Sequence, residues 1–363
     1  MAKPDLAQKY WWLLPLLAAV FFSLYTHAMV WSEFVAPTFG NTGIHVASAR
    51  HFVEKGFYPL EDYSYGGNIP NLYVPIYRAG VAELVWLTAL DFDFINRLIV
   101  TIFAILVPLG LFALGRKLFG TTAGLFAAFL ASLPAELLIY TVRPLPQAMG
   151  LALLPLALLM LYQGRRVPAI AASFAIVLVH QEAALFFVAC AFAYGVAGVA
   201  MNTLQKAKVD DRFVLALACW LVGAVTYLAW HFAMTGSIAF WELAQFKHHE
   251  GNVLDAKFFM EKTGEVLAVL GIFGAIAAGI SFAVTKKRQE LFALCLLVVG
   301  VVLVKNDLVG LRVFMDRFLV YLQLPMIVVA GLGAAKLVEL AEGAGDWVEN
   351  TAAGFLKLKR QKR

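Results

Sequence analysis

Long apolar runs separated by short basic clusters constrain this chain more than any other feature. Runs of about the length that crosses a bilayer, roughly 17–25 residues, occur at 10–31, 97–115, 119–139, 145–162, 167–182, 183–202, 212–235, 264–284, 290–304 and 318–338. With 61% of its residues apolar and only 15% charged, the chain would expose large sticky patches in water, so it reads as a polytopic membrane protein. The first apolar run resembles a signal peptide. It is too long for one, however, and no small-residue cleavage site follows, so it reads as a retained spanning helix.

An eleventh run, 72–90, carries Pro75, Arg78 and Glu83. The basic clusters Arg116-Lys117, Arg165-Arg166, Lys206-Lys208-Arg212 and Lys286-Lys287-Arg288 belong on the cytoplasmic side, as do Lys3 and Lys9. The helix at 97–115 must then re-enter to deliver Arg116, which leaves no net crossing for 72–90. That run reads as re-entrant or interfacial. The expectation is an all-α polytopic membrane protein of ten spans in the plasma membrane, with both termini cytoplasmic. A single transmembrane domain would cover 1–341, with a large helical first external loop at about 33–96 and a second at about 236–262. A basic cytoplasmic tail would follow at 342–363, its last seven residues (KLKRQKR) holding five basic side chains suited to lipid headgroups. The net charge of +5 is no sign of nucleic acid.

Ionisable groups at membrane depth or at helix mouths are costly, and each is a candidate for function. On the expected external side Glu33, Asn41, His45, Glu61 and Asp62 come from the first loop, and Arg143 from a helix mouth. His180, Gln181 and Glu182 lie between two apolar runs, while Asp307, Arg312, Asp316 and Arg317 precede the last span. Carboxylates can serve as a base and arginines can hold a phosphate through two nitrogens, so one face offering both suits a lipid-phosphate substrate. A plainer reading pairs Arg312 and Arg317 with Asp307 and Asp316 in a solvated turn. His248-His249-Glu250 reads as a solvated loop, since adjacent histidines cannot face one metal from a helix. His231 reads as interfacial packing. Cys190, Cys219 and Cys295 sit inside apolar runs without ligand spacing and read as packing residues. They point to no cofactor, and a divalent metal stays open without support from the residues. The run EDYSYGGNIPNLYVPIYR offers aromatic faces and a double glycine, as sugar sites do, or else an interfacial aromatic belt.

NTGIHVASARHFVEKGFYP after the first helix, YSYGGNIPNLYVPIYR after it, the paired helices around RKLFG with the mouth at TVRPLP, and the late helix DRFLVYLQLPMIVVAGLG together carry a resemblance. They resemble the GT-C superfamily of integral membrane glycosyltransferases, in particular members related to protein mannosyltransferases and to the oligosaccharyltransferase catalytic subunit. The resemblance spans about residues 10–340. It implies transfer of a sugar from a polyprenyl-phosphate donor to a lipid, glycan or protein acceptor, in contact with membrane lipids. It also implies an acid in the first loop as base, and basic residues near the last helices on the donor phosphate. The family aspartate falls at Asn41, which cannot take a proton, so Glu33 or Asp62 inherits the role, with His45 orienting and Arg317 on the phosphate. Arg143 stands where an acidic pair would support a divalent metal. Two other classes stay open: a GT-C-like protein that binds or flips lipid-linked glycans without turnover, and a secondary transporter. Against the last, no pair of Gly/Pro-broken helices recurs in matching halves.

Overall fold

A computed structural model describes residues 10–33, 42–61, 70–237, 255–310 and 315–361, with side chains through 344 except that of Val309. Asn41, Asp62, Arg312 and the 248–250 triplet lie outside the described residues. The described chain is helical apart from a lone β-bridge between Glu61 and Pro70. In chain order the helices are α1 (Leu13–Glu33), α2 (Thr42–Lys55), α3 (Ile76–Thr88), α4 (Phe92–Phe119), α5 (Thr121–Leu130) and α6 (Ala135–Thr141). They continue with α7 (Pro146–Gln163), α8 (Arg166–Val179), α9 (Gln181–Leu204) and α10 (Asp211–Thr235). The last four are α11 (Ala256–Thr263), α12 (Glu265–Thr285), α13 (Arg288–Val304) and α14 (Met315–Gln361).

Seven of these, α1, α4, α7, α9, α10, α12 and α14 as far as Ala344, are long and apolar enough to cross a bilayer. The bent pair α5–α6 makes up to eight. The expected spans at 167–182 and 290–304 take the form of shorter helices, α8 with 14 residues and α13 with 17. The run at 72–90 forms α3, whose 13 residues extend about 20 Å, short of a hydrocarbon core of about 30 Å.

The run at 119–139 reads as one continuous span but is broken, with its two halves bent by 74°. Pro134 is the cause: it has no amide hydrogen to give, and it pushes Leu133 out of helical geometry. The break re-aims α6 so that Glu136, Tyr140 and the following Arg143 reach the site described below.

α1 and α4 run antiparallel. Trp12 stacks on Phe112 with centroids 5.4 Å apart, Ser23 donates to the Ala104 carbonyl at 2.8 Å, and the Arg97 guanidinium lies 5.4 Å from the Trp31 ring. Numbers rise along one helix as they fall along the other, so α1 ends where α4 begins. The intervening α2 and α3 therefore leave and rejoin the bundle at one end.

The apolar centre is α14, buried along its membrane-length portion and packed on α5, α12 and α13. Its seam with α12 depends on Gly274 and Gly333, where a Cβ on Gly274 would run into the Val329 carbonyl. With so little side chain between them the two backbones approach closely, which is how helices gain contact in lipid. The opposite face of α12 presents Val266, Val269, Ile272, Ile276 and Ile280 outward, a helical stripe suited to acyl chains. All three cysteines are buried and unbridged, in line with a packing role. α14 continues across the expected boundary at 341/342 without a break.

Candidate functional site

The end of the bundle capped by α2 and α3 holds two adjoining polar clusters. The first is built around Arg78, an arginine in the first turn of α3 that is 1% exposed. It donates to Nδ1 of His45 at 3.1 Å, to Oδ1 of Asn71 at 3.1 Å and to the Tyr58 hydroxyl at 3.4 Å. Its guanidinium stacks over the Tyr73 ring at 4.8 Å, and Tyr73 meets His45 edge-on. Asn71 in turn is fixed by its amide to the Pro59 carbonyl and by its backbone to Leu60. Arg78 only donates, so His45 must accept at Nδ1, which places the ring hydrogen on Nε2 and keeps the imidazole neutral. Burial, with Arg78 and His180 nearby, accordingly holds the His45 pKa well below the ordinary histidine value. Burial likewise raises that of Tyr77.

The second cluster comes from α6, α7, α9 and α14. The chain breaks its helix at His180, where the backbone is extended, and restarts at Gln181, so Glu182 falls in the first turn of α9. A carboxylate there complements the unpaired amides of the helix start. One Glu182 oxygen lies 3.4 Å from Arg317 and the other accepts from Gln147 at 3.1 Å. The Tyr321 hydroxyl lies 3.0 Å from His180 Nδ1, and the Ala183 amide points at the same nitrogen from 3.5 Å. That nitrogen is thus the acceptor, and the His180 hydrogen sits on Nε2. Arg143 is buried, stacked over Tyr140 at 4.6 Å, and donates from Nε to the Ile139 carbonyl at 2.9 Å. Burial lowers its pKa, Tyr140 and Glu136 oppose that, and Arg317 is close enough to lower it further. Glu136 pairs with Lys262 at 3.2 Å, which ties α6 to α11.

Gln181 and Trp230 both donate to the Leu72 carbonyl, and Trp230 meets Tyr58 edge-on. These bonds fasten the loop carrying Arg78 to α9 and α10, so the two clusters hold a fixed relation. Beside them a groove of about 410 Å³ runs between α1 and α4, lined by Leu24, Ala28 and Val100 with Trp31 and Arg97 toward the capped end. Its wall is bonded directly to the site: Trp31 donates to the Val142 carbonyl at 3.0 Å, and His27 meets Thr141 at 3.0 Å.

Of the sequence candidates, His45, Arg143, His180, Glu182 and Arg317 gather here. Glu33 is exposed in the last turn of α1, with no bond to either cluster among the described residues. Asp307 pairs with Lys305 at 3.2 Å rather than with Arg317. His231 stacks on Tyr227, as its packing reading holds. Arg78, Asn71, Gln147 and Tyr321 join the two clusters of the candidate site without having been candidates from the sequence. Arg78 carried a usable signal, a full charge inside an apolar run.

Among the described residues, which leave out Asn41 and Asp62, the donors at this site are already engaged and do not make a divalent-metal set. Both Glu182 oxygens are engaged, Glu136 is held by Lys262, and no three His, Cys, Asp or Glu side chains converge among the described residues.

In sequence the chain matches no family model and no curated protein. In structure it is similar to the oligosaccharyltransferase of Archaeoglobus fulgidus in its apo form, with a TM-score of 0.64 at 14% identity, covering 95% of this chain and 53% of that one. The same enzyme, AglB, with an inhibitory peptide and a dolichol-phosphate, matches at 0.58 and 14% identity over 94% of this chain and 52% of that one. ArnT from Cupriavidus metallidurans bound to undecaprenyl phosphate matches at 0.59 and 14% identity over 94% and 64%. The chain spans about half the length of the oligosaccharyltransferase. It has a GT-C-like fold and is built as a multi-pass membrane protein.

Proposed function

We propose that this chain is a membrane glycosyltransferase that moves a sugar from a polyprenyl-phosphate donor to a lipid, glycan or protein hydroxyl or amide, at the capped end of the bundle and on the external face. The observation that carries the proposal is the convergence of Arg143 and Arg317 with Glu182 and His180 beside an apolar groove, in a fold shared with enzymes solved with prenyl phosphates. The prenyl chain would lie in the groove between α1 and α4, and its phosphate would meet the arginines.

At 3.4 Å the Glu182–Arg317 pair is longer than the 2.7–2.9 Å of a tight charge-assisted bond. Arg317 is thus held at the site by Glu182, and two neighbouring guanidiniums favour a multiply charged anion over the single carboxylate. In the reaction the acceptor oxygen or nitrogen forms a bond to the anomeric carbon as the bond from that carbon to the phosphate oxygen breaks. The polyprenyl phosphate leaves with the electron pair, and Arg143 and Arg317 stabilise its growing charge. The acceptor proton passes to a carboxylate. We assign it to Asp62 rather than Glu33, because Glu33 is exposed in the last turn of α1 with no bond to either cluster among the described residues. The basic clusters all fall at the opposite end of the bundle, which supports a cytoplasmic location for that end and for both termini.

The test is transfer from labelled polyprenyl-phosphate sugars by the protein in liposomes. Transfer that is lost in Arg317→Ala and Asp62→Asn but kept in Glu33→Gln is the expected result. A second reading, binding without turnover, is favoured by Asn41 in the place of the family acid. Tight donor binding with no transfer to any acceptor would establish it instead.

A further inference from the structure

The end of the bundle opposite the candidate site carries a second cavity. It measures about 300 Å³ and is lined by Lys117 from the last turns of α4, Tyr162, Gln163 and Arg165 from the end of α7, Arg212 from the start of α10, and Arg288 from the start of α13. Four cations from four places in the sequence therefore face one space. Asp210 balances part of this charge: it accepts from Arg288 at 3.0 Å, lies 3.7 Å from Arg212, and caps α10 by accepting from the Arg212 amide. Arg288 also stacks over the Tyr162 ring at 5.1 Å, which fixes its plane. Among the described residues Lys117 and Arg165 have no carboxylate within ion-pair distance, so the lining has net positive charge.

Charges that serve only to orient a membrane protein need to lie on the right side and nothing more. Here they also converge. The cavity lies at the ends of the spanning helices, where the starts of α10 and α13 bring Arg212 and Arg288 to it. We propose that this cavity is a binding site for a phosphate-bearing anion, with Lys117 and Arg165 supplying the unbalanced charge and Arg212 and Arg288, preset by Asp210, supplying the fork. The site is independent of the transfer reaction, since it lies at the other end of α4, α7 and α13.

The experiment uses the purified full chain in a neutral detergent and follows its melting temperature as each ligand is titrated. The probes are short-chain phosphatidic acid, short-chain phosphatidylcholine and inorganic phosphate. Wild type should show a saturable rise with phosphatidic acid and none with phosphatidylcholine. Lys117→Gln/Arg165→Gln should bind about tenfold or more weakly, which is about 1.4 kcal/mol. Lys117→Arg/Arg165→Lys, which keeps the charge, should bind as wild type does. The exposed positions of Lys117 and Arg165 make both variants foldable, and their ligand-free melting temperatures verify it. If inorganic phosphate gives the same rise with the same sensitivity to the variants, the anion is a soluble phosphate rather than a lipid headgroup. Equal binding by wild type and the glutamine variant, or no rise with any probe, overturns the proposal.

Discussion

The two ends of this bundle handle charge in opposite ways. At the capped end, cations and carboxylates alternate inside the protein: Glu136 with Lys262, Glu182 with Arg317, and Arg143 stacked on Tyr140. Arg78 is fully buried there and held entirely by neutral acceptors and an aromatic face among the described residues. At the other end, Lys117, Arg165 and Arg166 stay exposed while Arg212 and Arg288 are half-buried against Asp210; Arg166 and Asp211 pair at 2.9 Å with three quarters of each side chain in solvent. Burying an ion is costly and is kept only where bonds or a ligand compensate, whereas a charge at the surface costs little. That contrast is what the proposed transfer site at the capped end and the proposed anion site at the other end would require.

The contrast gives a graded set of expectations. The largest effect belongs to Arg317→Ala and Arg143→Ala. Each should lower sugar transfer by about a hundredfold or more, by analogy with the loss of one preorganised donor to a developing anion, measured at a temperature where the variant is still folded. Comparable activity in both variants would remove the site from this end. Next comes Arg78→Met, which leaves Asn71, His45 and Tyr58 short of a partner in a buried setting. It should lower stability by about 2–4 kcal/mol, readable in denaturant or thermal unfolding.

A smaller effect follows from His45. Its folded pKa lies below the ordinary value, so the unfolded chain takes up the proton first as pH falls. Stability should hold above about pH 6.5 and fall below it, by up to about 1.4 kcal/mol per pH unit for this one group. The slope should flatten in His45→Asn, measured as melting temperature against pH. The smallest effect belongs to Arg166→Gln: breaking an exposed pair should cost under about 1 kcal/mol and leave transfer unchanged.

Seven of the expected spans were legible as long helices because hydropathy and length alone define them in lipid, whereas 167–182 and 290–304 form helices shorter than those seven. The polar block after α1 was legible as a helix at the capped end, and His45, Arg143, His180, Glu182 and Arg317 announced themselves as charges or histidines at helix mouths. The break at Pro134 was not read, although the proline stands in plain view. In a long apolar run a proline can be carried by neighbouring helices, and only the packing of α6 shows that this one turns the chain by 74°. In the sequence Arg78 speaks against a span without marking a site, because its partners Asn71 and His45 come from different parts of the loop. Gln147 and Tyr321 gave no signal at all, since a neutral polar group in an apolar helix becomes informative only when its partner is known.

The most direct measurement is transfer by the reconstituted protein from a labelled polyprenyl-phosphate sugar, with wild type, Arg317→Ala and Arg166→Gln compared side by side. Transfer by wild type and Arg166→Gln together with its loss in Arg317→Ala is the predicted result. Turnover that is insensitive to Arg317, or donor bound tightly by wild type and never turned over, would contradict the claim that the capped end of this fold is a glycosyltransferase site.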